Sequence, residues 1–106
     1  GMAKQMVYTA RNIKADEALR IGLVNAVYPL AELYAAAEKL ASQIAANAPI
    51  AVRAAKKAIN EGLDLPMDEA VVVEEKAFGS CFETADQQEG MGAFLEKRKH
   101  EPFTNK

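Results

Sequence analysis

The sequence has no tryptophan, one cysteine and one histidine, and each shortage closes off a class of function. A lone Cys81 cannot form an internal disulfide, which excludes the stapled secreted scaffolds and fits a reducing compartment, taken here as the cytoplasm. With His100 the sole histidine and no cysteine pair, the ligand spacing of a metal site is missing. No apolar run approaches the roughly 20 residues that cross a bilayer, and the first residues lack the charged start and apolar stretch of a secretory signal. Neither sign of charge prevails. The net is −2 with both signs interspersed, which gives no electrostatic footing for nucleic acid or an anionic membrane. Aromatic residues make up only 7%, so any core must come from Ala, Leu, Ile, Val and Met. At 106 residues the chain is one domain at most.

What the chain has in quantity is helical patterning, seen best from Thr84 to Phe103. Thr84 stands three residues before Gln87, the spacing of a capping box in which hydroxyl and amide each serve a backbone N–H. Asp86 and Glu89 put negative charge where a helix start favours it, and Lys97, Arg98 and Lys99 put positive charge in the expected last turn. Pro102 then stops the helix. Met91, Phe94, Leu95 and Arg98 recur at three- and four-residue spacing, which predicts an apolar face with a cationic tip.

Taken in order, Ala3 to Tyr8 reads as the end of a helix, too short to stand alone. Asp16 to Ile21 reads as a second short helix, with Gly22 placed for a left-handed C-terminal residue. Lys14 supplies no side-chain cap there, an omission of about 1 kcal/mol. Leu23 to Val27 reads as a short extended run with no partner. Leu30 to Ala46 is the clearest amphipathic helix, carried by Leu33, Tyr34, Ala37, Leu40, Ala41 and Ile44. Pro49 suits the first position of the next, which runs to about Glu61 with Val52, Ala55 and Ile59 on one stripe and ends at Gly62. Pro66 opens a fourth, with Asp68 and Glu69 in its first turn. Val71, Val72 and Val73 have strand propensity, but Ala77, Phe78, Cys81 and Phe82 restore the helical period. The fold class is mainly α: four substantial helices, two short leading ones and a brief extended segment.

Candidate chemistry is sparse. Glu74–Glu75 and Asp68–Glu69 are adjacent pairs about 100° apart on a helix and cannot converge on one substrate atom. Asp86 and Glu89 read as residues that answer the helix dipole, so acid–base catalysis finds no pair here. His100 sits in a charged tail and reads as solvated. Cys81, between Phe78 and Phe82, reads as a buried inert thiol. Lys56 and Lys57 read as a solvated basic patch. Gly90 and Gly92 inside a helix each cost about 1 kcal/mol relative to Ala, which points either to close approach at that face or to simple tolerance. Phe94 and Lys97 lie three apart on the expected helix, and a ring beside an ammonium suits an adenine with its phosphate. An interface anchor beside a solvated charge is the alternative.

The string Asp86-x-x-Glu89-Gly90-x-x-Ala93-Phe94-x-Glu96-Lys97-Arg98, followed by Phe103, resembles the C-terminal signature of the crotonase (enoyl-CoA hydratase) family. Upstream, Tyr8-Thr9, Ile13, Ala15-Asp16-Glu17-Ala18-Leu19 and Gly22-Leu23-Val24-Asn25 resemble the segment joining that family's core to its last helices. The likeness covers essentially the whole chain and is similar to bacterial short-chain enoyl-CoA hydratases. It implies the helical C-terminal region of the crotonase (ClpP/crotonase-like) fold, spanning residues 1–106 and serving as oligomerisation surface and lid over the coenzyme A site. The catalytic core, with its two glutamates and oxyanion N–H groups, would be absent, so no residue here is expected to be catalytic and the isolated chain is expected to be inactive. The activity implied for the whole enzyme is a lyase adding water to 2-enoyl-CoA in fatty-acid metabolism. No cofactor is implied, coenzyme A thioester entering as substrate. The implied partners are acyl-CoA and further copies of the chain, as trimer or hexamer, with neither nucleic acid nor membrane. Phe94 and Lys97 are the positions that the resemblance assigns to the nucleotide end of coenzyme A. A stand-alone helical module that binds acyl-CoA or a protein partner is the competing reading.

Overall fold

The computed structural model describes residues 1–106, and its regular structure is all helical. The order is α1 Met2–Thr9, α2 Ala15–Arg20, α3 Leu30–Ala45, α4 Pro49–Gly62, α5 Met67–Cys81 and α6 Ala85–Leu95. The valine run lies inside α5, where helical period outweighs β propensity. The short extended segment expected at Leu23 to Val27 is instead bends and irregular chain, because the run has nothing to pair with. The chain divides into two compact units, Gly1–Glu38 and Lys39–Lys106, with the division falling inside α3.

In the first unit, α1 buries none of its residues and ends at Ala10 in a left-handed conformation, φ 48°. Lys14 stands at the N-cap of α2 with no side-chain cap bond, as its lack of a short polar side chain dictates. Other contacts hold this short helix. Arg11 donates to both carboxylate oxygens of Glu17 at 3.0 and 2.6 Å, a bidentate geometry that gains more than a single contact. At the far end Gly22 takes φ 74°, and two backbone bonds close the turn. Gly22 N–H reaches Leu19 O at 3.1 Å and Leu23 N–H reaches Ala18 O at 2.9 Å, the Schellman pattern. Ala18 is the one buried residue of α2.

In the second unit, α4 begins with Pro49 at its first turn, where the missing N–H costs nothing. It packs against α5 through small side chains at helical spacing. Around that pair runs a groove of about 540 Å³, with Ala54, Ala58 and Gly62 from α4 and Ala70, Ala77 and Cys81 from α5 among its lining residues. The backbones come close at one end, where a Cβ built on Gly62 would lie 3.4 Å from the Cβ of Ala70. Small residues on both helices permit that approach.

A sealed interior is missing. Ala18 and Ala93 are the only buried apolar residues, and no side chain is fully buried, whereas Leu30, Leu63 and Phe94 are 88%, 78% and 78% exposed. The amphipathic stripes are present as helices, but most of their apolar surface remains open to water.

Candidate functional site

The C-terminal stretch gathers more side-chain hydrogen bonds than any other, and it begins with a cap. Thr84 has extended backbone, φ −96° and ψ 145°, and its hydroxyl accepts the Gln87 N–H at 3.1 Å. That is half of the expected capping box. The reciprocal half does not form, because Thr84 N–H donates instead to Cys81 O at 3.1 Å. Too few residues separate α5 from α6 for the N–H to be free, and the turn between them consumes it.

Asp86 stands in the first turn of α6, as its helix-start role requires, and it does more than that. It is 2% exposed, and its carboxylate also binds the tail of the chain. Oδ1 accepts from Thr104 N–H at 2.6 Å and from the Thr104 hydroxyl at 3.2 Å, and Oδ2 accepts from Asn105 N–H at 2.9 Å. Ala85 N–H, unpaired within α6, donates to Lys106 O at 2.8 Å. The tail therefore satisfies the helix start, and the helix start satisfies the tail. Asn105 extends the connection to α4, its Oδ1 accepting from Arg53 Nη2 at 2.7 Å.

One turn on, Glu89 forms a second anchor. Arg98 donates to both of its oxygens at 2.6 and 3.1 Å, and Glu101 N–H donates to Oε1 at 2.7 Å. These bonds, the one from Arg98 foremost, hold the Glu89 carboxyl down to about 2 from an ordinary 4.5. Arg98 also donates from Nε to Glu96 at 2.6 Å. Its guanidinium, held between two carboxylates, titrates above the usual arginine range.

The expected last turn of α6 is corrected by this arrangement. The helix ends at Leu95, with Glu96 as C-cap, so Lys97, Arg98 and Lys99 lie beyond it. Lys97 takes φ 55°. Lys97 N–H bonds Phe94 O at 3.2 Å and Arg98 N–H bonds Ala93 O at 3.0 Å, the same pattern that closes α2. Helical spacing therefore does not relate Phe94 to Lys97. Phe94 stands on the last turn, 78% exposed, and Lys97 is exposed on the turn that follows.

Gly90 sits beneath the tail. A Cβ at that position would meet the Phe103 ring at 3.6 Å, so what approaches this face is the chain's own aromatic residue. The His100 ring stacks on Phe103 at 4.3 Å and 16°, while His100 remains exposed. Cys81 is half-buried instead of enclosed, because the groove between α4 and α5 leaves it a free side. Its thiol lies 3.3 Å from Ala77 O. Lys57 makes a single exposed contact with Glu61 at 3.8 Å, a pair of little energetic consequence. The carboxylates that could act as acid and base are occupied at Asp86 and Glu89, and Glu74 is the only ionisable acid lining the groove. Sequence spacing missed the two anchors, since nothing local links Asp86 to Thr104 or Glu89 to Glu101.

Comparison with known proteins places the chain among relatives. A family profile described as enoyl-CoA hydratase/isomerase matches residues 1–106. The chain is 55% identical over 106 residues to a short-chain-enoyl-CoA hydratase of Clostridium acetobutylicum, covering 100% of this chain and 41% of that protein. It is 54% identical over 99 residues to a crotonyl-CoA hydratase of Syntrophomonas wolfei, covering 93% of this chain and 38% of the relative. Among solved structures, an enoyl-CoA hydratase from Bacillus anthracis matches with a TM-score of 0.93 at 40% identity, over 100% of this chain and 41% of the other. The chain thus spans about two fifths of the length of these relatives.

Proposed function

The chain belongs to the enoyl-CoA hydratase/isomerase family, and on that footing we propose that it is the helical C-terminal part of an enoyl-CoA hydratase. In this reading it supplies subunit contacts and part of the coenzyme A site of a cytoplasmic homo-oligomer that adds water across the double bond of a short 2-enoyl-CoA. Bond-making groups come from polypeptide outside these residues. Phe94 offers an exposed ring to the adenine, and Lys97 offers an ammonium to a phosphate of the nucleotide end.

The observation that carries this reading is the uncovered apolar surface. Only Ala18 and Ala93 are buried apolar residues, against two dozen large apolar side chains left exposed. Apolar exposure on that scale calls for a covering partner, and a catalytic core and neighbouring subunits would provide it. A self-sufficient binding module would keep its apolar side chains inside. The deciding experiment pairs a crotonyl-CoA hydration assay with sedimentation of the same chain. Expected are no turnover above the buffer control and association into oligomers. Turnover by the chain, or tight coenzyme A binding by a monodisperse monomer, would overturn the reading.

A further inference from the structure

Two helices of this chain end in the same hydrogen-bond pattern with different residues at the left-handed position. After α2 the residue is Gly22 at φ 74°, and after α6 it is Lys97 at φ 55°. For a residue with a Cβ this conformation costs about 1–2 kcal/mol, and such strain persists only where the surroundings over-determine it. The surroundings of Lys97 do so. Arg98, the next residue, is gripped by Glu89 through two bonds and by Glu96 through one, and Glu101 N–H is held by the same Glu89 carboxylate. Lys97 itself makes no side-chain hydrogen bond or ion pair, and its backbone alone is engaged. The chain around it is pinned while its ammonium is left free.

We propose that Glu89 and Arg98 are positioning residues for Lys97: their ion pair fixes the turn after α6 so that the Lys97 ammonium is presented toward a phosphate-bearing ligand. This rests on the reading that Lys97 meets the nucleotide end of coenzyme A. Glycine would close the turn with less strain, and lysine supplies the charge.

The test is a coenzyme A titration of the 106-residue chain followed by NMR, which detects millimolar affinities, on wild type, Lys97→Gln, Glu89→Gln and the double variant. Glu89→Gln weakens binding by roughly threefold to tenfold, and the loss vanishes in the Lys97→Gln background, as a coupled pair requires. Arg98→Lys, which keeps the charge but loses the fork, gives the same loss and serves if Glu89→Gln unfolds. Lys97→Gly raises the melting temperature while weakening binding. If Glu89→Gln weakens binding equally with and without Lys97, Glu89 is merely structural and the inference fails. It fails too if Lys97→Gly melts no later than wild type. Unchanged affinity in Lys97→Gln, or no ligand-induced shifts in wild type, instead removes the site reading, and this inference falls with it.

Discussion

Asp86 accepts the backbone N–H of Thr104 at 2.6 Å across 18 residues of chain. The bond joins the first turn of α6 to the tail that follows it. Asp86 also holds the Thr104 hydroxyl and Asn105 N–H, so one buried carboxylate organises both ends of the C-terminal stretch. Replacing it removes the charged acceptor that these donors share. Asp86→Ala is expected to destabilise the chain by about 2–3 kcal/mol, the range for hydrogen bonds to a charged group. Urea denaturation measures that loss, and hydrogen exchange at Thr104 and Asn105 should quicken with it. Unchanged exchange there would contradict the assigned bonds.

The Glu89 clamp makes stability depend on acid. Its carboxyl titrates at about 2 in the folded chain against 4.5 ordinarily, so the folded state binds its proton more weakly than the unfolded state does. The resulting stabilisation is fully present above pH 4.5 and is lost as pH falls toward 2. Glu17, lowered chiefly by its hydrogen bonds from Arg11, contributes in the same direction. Melting temperature should therefore fall with pH below 4.5, and the fall should be shallower in Glu89→Gln.

Gly90 can be improved upon. A Cβ there would rest 3.6 Å from the Phe103 ring, an ordinary contact, and alanine is favoured over glycine inside a helix by about 1 kcal/mol. Gly90→Ala should raise stability by about 0.5–1 kcal/mol. A drop in the denaturation midpoint would show that Phe103 cannot yield.

Thr84→Ala removes the acceptor of Gln87 N–H and the hydroxyl donor to Cys81 O at 2.7 Å. A cost of about 1–2 kcal/mol is expected, at the upper end because two bonds are lost. Thr84→Ser, which keeps the hydroxyl, should recover most of it in the same unfolding measurement.

Helix starts were readable where local chemistry decides them. Pro49, Thr84 and the acidic first turn after Pro66 all sit where the spacing of caps and charges predicts. The end of α6 was not readable. Three consecutive basic residues suggest one more turn, whereas Arg98 is drawn back to Glu89 and Lys97 closes the helix in a conformation usually given to glycine. The Phe94–Lys97 pairing failed as a periodicity for the same reason, although both residues stand exposed near the helix end. Asp86 was placed correctly in the first turn, but its bonds to the tail were not readable, because no spacing rule connects an aspartate to a threonine N–H 18 residues away. Cys81 was expected to be enclosed because its neighbours are aromatic, yet Phe78 and Phe82 are themselves 67% and 48% exposed.

The two carboxylates that grip Arg98 have an effect on the field around this tip. Lys97, Arg98 and Lys99 suggest a basic beacon, but Glu89, Glu96 and Glu101 stand beside them and the formal charges cancel. An approaching anion would feel little pull from afar, and moderate salt should alter its capture only slightly. Any selectivity of this end of the molecule toward anions must arise at touching distance, from contacts with individual side chains.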